Sequence, residues 1–109
     1  MVFKAILTKK DVRKIASEFK KVLKKAGVKA PGLILFGSYA VGKPHQWSDI
    51  DFCVVSKQFG RRAYDDMIKV SKLGKQVNYL IEAHPLNPEE LNKGFHPLAE
   101  EIKKSGIKM

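Results

Sequence analysis

The sequence predicts an α/β or α+β domain in which helices pack on a small mixed sheet of three or slightly more strands. Two kinds of hydrophobic pattern lead to this fold class. Apolar residues recur at three- and four-residue steps between Thr8 and Gly27, which is typical of an amphipathic helix. A continuous apolar run at 33–36 and an alternating segment at 48–55 are typical of strands. Helical and strand patterns continue to alternate after residue 55, as a layered domain of mixed class requires.

The first helix is predicted from its start signal, its apolar stripe and its stop signal. Thr8 and Asp11 form a capping-box pattern with Asp in the acidic position, and Gly27 ends the helix. The apolar positions are Val12, Ile15, Ala16, Phe19, Val22, Leu23 and Ala26. The basic pairs fall on the flanks and back of this stripe, so the apolar and charged faces do not compete.

Two strands are predicted in the centre of the chain. The apolar run 33–36 is interpreted as a buried strand that ends at 37–38, after which residues 39–41 begin a short helix. The segment 48–55 alternates with the two-residue period of a strand. One face of this second strand carries Asp49, Asp51 and Cys53.

The second half of the chain is expected to contain three helices and one strand. A helix closed near Gly74 is predicted to bury Ala63, Tyr64, Met67, Ile68 and Val70. Residues 76–83 are rich in strand-forming side chains and are interpreted as a third strand. A helix is predicted to start at 87–90 and another to span 97–104, because each segment combines an early proline with acidic residues, and Gly106 ends the last one.

Composition limits the class of protein. The 109 residues are 44% hydrophobic and 29% charged, which predicts one folded domain over 1–109 rather than a disordered or multidomain chain. No apolar run approaches the ~20 residues of a membrane span, so no membrane association and a cytoplasmic location are expected. The single cysteine, Cys53, excludes an internal disulfide framework and a cysteine-based zinc site.

The net charge of +10 is concentrated in the first helix and the residues after it. Residues 9–29 contain nine basic residues and two acidic ones, which accounts for +7 of the total. This segment is either a solvated helix face or a surface that binds an anionic partner. Most of the basic residues are Lys rather than Arg, and Lys is less suited to bidentate recognition of bases and phosphates.

The residues with the clearest chemistry lie between 33 and 55. Gly37 and Ser38 follow a buried strand, where backbone N–H groups and a hydroxyl can face a phosphate without a bulky side chain in the way. Asp49 and Asp51 are two positions apart on a strand, so their carboxylates project to one side, with Cα atoms roughly 6–7 Å apart. Two such acids repel unless a cation lies between them, and hard oxygen ligands suit Mg²⁺ or Mn²⁺.

This segment resembles the DNA polymerase β-like nucleotidyltransferase superfamily, and in particular its minimal nucleotidyltransferases. Their pattern is Gly-Ser-x-Ala-x-Gly, a five-residue spacer, then Ser-Asp-apolar-Asp followed by apolar residues. The chain supplies the pattern as Gly37, Ser38, Ala40, Gly42, Ser48, Asp49, Ile50 and Asp51. The resemblance implies a nucleotidyltransferase fold that transfers a nucleoside monophosphate, AMP from ATP being the expected case, to a hydroxyl acceptor and releases pyrophosphate.

The resemblance also implies roles for individual residues. The nucleotide is expected to contact Gly37, Ser38, Lys43 and Ser48. Catalytic metal ions, Mg²⁺ or Mn²⁺, are expected on Asp49, Asp51 and Glu82. Glu82 is chosen as the family's third carboxylate on the next strand, with a solvated glutamate at a strand end as the alternative. Many relatives have Arg where this chain has Val41. Lys43 either replaces that Arg as a point charge or is an exposed loop lysine, and the second alternative is favoured.

The small size leaves no room for the domain that binds the acceptor in larger relatives. Small members of the family resemble antitoxins that pair with a helical HEPN-type toxin, which implies that the acceptor is a tyrosine hydroxyl of that partner. Two other functions remain open. One is a non-catalytic protein that binds a partner through the same fold, and the other is a nucleic-acid-binding module that uses the Lys-rich first helix, which the sequence does not favour.

Overall fold

A computed structural model describes residues 6–94 and 96–109. They form eight elements in chain order: α1 (Lys9–Lys25), β1 (Gly32–Phe36), β2 (Ile50–Val55), α2 (Ala63–Val77), β3 (Ile81–Leu86), α3 (Pro88–Lys93), α4 (Ala99–Ser105) and β4 (Ile107–Lys108). The four strands make one sheet in the order β3-β2-β1-β4. The predicted fold class, a small mixed sheet packed with helices, is confirmed.

The sheet combines antiparallel and parallel pairs. β1 is antiparallel to both β2 and β4, and Phe36 at its end lies opposite Asp51. β2 and β3 are parallel, in a register that sets Asp51 beside Glu82. The C-terminal end of β1 and the N-terminal ends of β2 and β3 therefore lie side by side at the same end of the strands.

α1 has the start signal and the buried face that the sequence predicts. The Thr8 hydroxyl accepts a hydrogen bond from the Asp11 amide at 3.1 Å, and the Asp11 carboxylate accepts one from the Thr8 amide at 3.0 Å. The buried positions are Val12, Ala16, Phe19 and Leu23. The Phe19 ring packs on Phe52 of β2 with ring centroids 5.8 Å apart, which fixes α1 against the sheet.

The two faces of the sheet bury different helices. α1 and α2 cover the face that carries Phe52, Ile81 and Ala83. α3 and α4 lie against the other face, which carries Phe36, Cys53 and Leu86. Burial of the Cys53 thiol raises its pKa to about 12, so this cysteine is an unreactive core residue.

The prediction for the third strand was wrong. Gln76 and Val77 belong to the end of α2, Asn78 caps that helix, and the strand begins at Ile81 and ends at Leu86. Two smaller corrections concern the centre of the chain. Residues 39–41 form a hydrogen-bonded turn rather than a short helix, and the strand expected from residue 48 begins at Ile50.

The predicted buried side of α2 was correct at Val70 and wrong at the four other positions. Val70 and Gly74 are its buried positions, whereas Ala63, Tyr64, Met67 and Ile68 are exposed. Position 74 lies inside the helix, and glycine fits there because a Cβ at this position would come within 2.7 Å of the Ile81 side chain. The two short helices that were expected after it are confirmed, the second beginning at Ala99 rather than at residue 97. Among the described residues, no helix has both the length and the apolar character needed to cross a membrane.

Candidate active site

The turn after β1 depends on a glycine. Gly37 has a φ of +74°, a conformation that L side chains adopt at a cost. A Cβ at this position would also collide with the carboxylate of Asp51 on the neighbouring strand. Both constraints favour glycine, and the absence of a side chain brings the backbone of the turn next to that carboxylate.

The turn is held by its own hydrogen bonds. The amides of Ala40 and Val41 donate to the Gly37 carbonyl at 3.0 and 3.2 Å, and the Lys43 amide donates to the Ser38 carbonyl at 3.0 Å. The Tyr39 hydroxyl accepts a hydrogen bond from the Leu7 amide at 3.2 Å, which ties the turn to the segment before α1. The turn is therefore anchored on both sides of Ser38.

Carboxylates gather beside this turn. Asp51 is half-buried in β2, Asp49 lies exposed just before the strand, and Glu82 is the register partner of Asp51 on β3. Burial, together with the smaller effects of the negative charges of Asp49, Glu82 and Glu101, raises the pKa of Asp51 to about 6. The surroundings of Asp51 are therefore negatively charged and suited to a cation.

Glu82 has a cationic neighbour that sequence reasoning missed. Lys75 of α2 lies 3.6 Å from the Glu82 carboxylate, and its ammonium also donates to the Tyr79 carbonyl at 2.9 Å. Both partners of the ion pair are about half exposed, at 47% and 48%, so the pair is weak and can exchange partners. Glu101 of α4 was missed as well. Both contacts depend on how the helices pack on the sheet, and no local motif indicates them.

The loop between the turn and β2 has a structural hydroxyl. Ser48 is buried, and its hydroxyl accepts a hydrogen bond from the His45 amide at 2.9 Å. This bond fixes the chain just before Asp49. Lys43 is exposed at the end of the turn, and Trp47 is 63% exposed in the same loop.

His84 lies on β3 two residues after Glu82, opposite Cys53 of β2. Its ring lies 5.7 Å from the ring of Phe36, centroid to centroid. Burial lowers the pKa of His84, and the neighbouring Glu82 opposes that effect. A neutral, half-buried imidazole that packs on an aromatic ring is the result.

The carboxylates fit a hard divalent cation in chemical type but not as a closed cage. In the part of the chain that the structure describes, no three His, Cys, Asp or Glu side chains converge closely enough to hold a metal ion by themselves. Mg²⁺ normally keeps several water ligands and takes others from substrate phosphates, so one or two protein carboxylates suffice. Asp49 and Asp51 are suited to that role.

Comparisons with known proteins identify the family and the fold of the chain. A family model described as a nucleotidyltransferase domain matches residues 9–108. A candidate nucleotidyltransferase from Sulfolobus solfataricus superposes with a TM-score of 0.64 and 23% identity, covering 87% of this chain and 76% of that one. A toxin–antitoxin structure with AMP-PNP superposes with a TM-score of 0.60 and 22% identity, covering 84% of this chain and 69% of that one. No curated protein matches the chain significantly in sequence. At these identities the two structures establish a shared fold.

Proposed function

The chain belongs to the nucleotidyltransferase domain family, and on that premise we propose that it transfers AMP from ATP to a hydroxyl acceptor and releases pyrophosphate. The observation that carries this proposal is the close approach of Gly37 to Asp51, a carboxylate that has Glu82 as its register partner and feels the charge of Asp49. Carboxylates beside a glycine turn fit the transfer of a nucleotidyl group, because that chemistry depends on positioning and charge neutralisation.

The triphosphate would lie on the turn that follows β1. The amides of Ala40, Val41 and Lys43 are used inside the turn, so the amides and hydroxyl nearest Gly37 are the groups left to face a phosphate. Ser38 supplies that hydroxyl, and Lys43 adds a point charge at the end of the turn. Ser48 has a positioning role, because its hydroxyl accepts a hydrogen bond from the His45 amide and thereby fixes the loop just before Asp49.

Asp49 and Asp51 would hold Mg²⁺ or Mn²⁺, with Glu82 as the third carboxylate. The metal, when bound, neutralises charge on the phosphate oxygens. The raised pKa of Asp51 favours this role, because a carboxylate crowded by like charges gains most from a cation. To bind the metal, Glu82 must break its ion pair with Lys75. The free-energy cost of breaking that pair is small, because both side chains are about half exposed.

The acceptor is proposed to be a tyrosine hydroxyl on a helical, HEPN-type partner toxin. The acidic site is open to solvent, since Asp49 is exposed and the Glu82 side chain is half exposed. An open site lacks walls of its own for an acceptor, and a partner protein can supply them. A toxin–antitoxin structure with AMP-PNP shares the fold, which supports an antitoxin role for this chain.

Nucleotide binding is tested by thermal unfolding with each nucleoside triphosphate, with and without Mg²⁺ or Mn²⁺. We expect metal-dependent stabilisation of the natural chain by ATP, and its loss in Asp49→Asn/Asp51→Asn. The matched control is Glu18→Gln/Asp65→Asn, which removes the same charge at two exposed positions. At ~100-fold excess over Kd, a ligand stabilises by about 2.7 kcal/mol, which is several degrees for a domain of this size.

The transfer itself is tested with ATP labelled on the α-phosphate and a purified HEPN-type protein as the acceptor. We expect label on the partner, release of pyrophosphate, and loss of both on Tyr→Phe substitution in the partner. If nucleotide stabilises the chain but no hydroxyl acceptor is labelled, the proposed acceptor is wrong, whereas the proposed nucleotide site is still supported. If no nucleotide binds even with the partner present, the proposed activity is wrong.

A further inference from the structure

One side of α2 carries apolar residues that are open to solvent. Tyr64, Met67 and Ile68 are 78%, 37% and 37% exposed, and the partly buried Ser71 follows them on the same side. The four positions recur at the three- and four-residue steps of one helix face, and they are called the α2 stripe below. The α2 stripe therefore has the spacing of a buried helix face but is exposed.

The α2 stripe lies on the side of the helix that faces away from α1. Leu73 and Val77, on the opposite side of α2, pack into the core together with residues of α1. Lys75, one turn beyond Ser71, pairs with Glu82 of β3. Because β3 is the end strand of the sheet, the α2 stripe lies beside an open sheet edge, where a second chain can pack.

The exposed flank of the α2 stripe carries one acid and one base. Asp65 and Lys72 are exposed and seven residues apart, so they lie two turns apart on the same flank. Neither takes part in an ion pair within the described residues. When two such helices pack antiparallel about a two-fold axis, Asp65 of each copy lies opposite Lys72 of the other. The flank is thus complementary to itself, whereas a partner of one charge sign would be repelled by one of the two residues.

The same antiparallel arrangement also matches the sizes of the side chains. It sets Ile68 of one copy against Ser71 of the other at the centre of the contact, so that a large side chain meets a small one twice. At each end, the Tyr64 ring lies over the methylene stem of Lys75 from the other copy. One arrangement therefore satisfies both the apolar residues and the charged flank.

We propose that α2 is a dimerisation helix and that a second copy of this chain packs antiparallel on the α2 stripe. The proposal does not rest on the proposed enzymatic function. A helix of 15 residues is about 22 Å long, so the contact is small beside the roughly 800 Å² per partner of a typical stable complex. The net charge of +10 on each copy also opposes association. We therefore expect a dissociation constant of about 10–100 µM.

The test of self-association is sedimentation velocity of the chain from about 5 to about 500 µM at about 0.15 M salt, a range that brackets the expected dissociation constant. The average mass should rise from that of the monomer toward that of the dimer. Ile68→Ser should weaken association by about tenfold or more, because it removes apolar area from the two central contacts. Val41→Ser is the matched control, since Val41 is an exposed apolar residue far from α2 in the sequence.

Charge reversal tests the antiparallel arrangement. Asp65→Lys and Lys72→Asp each place like charges opposite each other twice, and each should weaken association by about tenfold. The double variant Asp65→Lys/Lys72→Asp restores opposite charges and should associate like the natural chain. An equal mixture of the two single variants should also form dimers, because each flank pair is again complementary. Lys69→Asp is the control, because it makes the same change on α2 outside the stripe and its flank.

Three results would overturn the proposal. A natural chain that stays monomeric up to about 500 µM would show that the α2 stripe serves a different protein. Equal weakening by Lys69→Asp and Lys72→Asp would show a general charge effect. Failure of both the double variant and the mixture to restore association would show that the antiparallel pairing is wrong. Thermal unfolding of every variant separates these results from a loss of folding.

Discussion

Replacing Asp51 by Asn removes the charge that the folded chain is least suited to hold. Burial and three neighbouring carboxylates raise the pKa of Asp51 from 3.8 to about 6. That difference corresponds to about 3 kcal/mol if none of it is screened. Because Asp51 is only half-buried, water screens part of the repulsion, and we expect about 1–2 kcal/mol.

The sign of the effect follows from proton binding. A carboxyl whose pKa is higher in the folded chain binds its proton more tightly there, so folding is favoured at low pH and stability falls as pH rises from about 4 to about 6. Asn carries no charge at any pH. Asp51→Asn should therefore be more stable than the natural chain above about pH 6, and the difference should disappear below about pH 4.

The assay is urea unfolding of the natural chain and Asp51→Asn between pH 4 and 8, with EDTA present so that no metal neutralises the site. Glu18→Gln serves as the control, because Glu18 is an exposed acid on α1. A stability difference that is the same at pH 4 and pH 8, or an Asn variant that is less stable at pH 8, would refute the reasoning.

Three further substitutions test the geometry of the site and its support. Gly37→Ala should cost about 2–4 kcal/mol in urea unfolding, because a positive φ and a collision with a carboxylate add, whereas Gly42→Ala has a positive φ but open space and should cost about 1 kcal/mol. Gly74→Ala should destabilise by about 1–2 kcal/mol in the same assay even though Ala favours helices, because its Cβ meets a β3 side chain; a stabilised variant would contradict this. Lys75→Gln should change stability by less than about 0.5 kcal/mol yet tighten Mg²⁺ binding in calorimetry, since it releases Glu82; unchanged Mg²⁺ affinity would contradict this.

The first helix and the motif residues were predictable because their signals are local. The capping box at Thr8 and the apolar stripe of α1 specify that helix without help from the rest of the chain. The Gly-Ser and Asp-x-Asp patterns also lie within short segments, and the structure places Gly37 against Asp51. Their proposed chemical roles are the predictions that the experiments above address.

The third strand was misplaced because its own residues are poor strand signals. β3 contains Glu82, His84 and Pro85, and Pro85 is tolerated there because β3 is an edge strand that can omit one backbone donor. The residues before it, including Val77 and Tyr79, have high strand propensity but end α2 and form the following turn. Tertiary packing decided this region against local propensity.

The exposed side of α2 escaped prediction for a related reason. The apolar spacing of Tyr64, Met67 and Ile68 is that of a buried helix face, yet the helix turns Val70 and Gly74 toward the sheet. Gly74 resembles a helix stop in the sequence, and only the close approach of Ile81 explains its place inside the helix. Such an approach depends on the partner strand and cannot be read from α2 alone.

The contact between Gly74 and Ile81 lies on the face of the sheet that α1 and α2 cover. Ile81 points toward α2, and the next residue, Glu82, points to the opposite face, where Asp51 lies beside it. A one-residue slip of β3 would reverse every side chain and carry the acid away from its neighbour. The absence of a side chain at position 74 thus helps to fix the register of β3, and this register places Glu82 beside Asp51 on the opposite face of the sheet. Selection for activity would therefore be expected to act on a helix residue that touches no substrate.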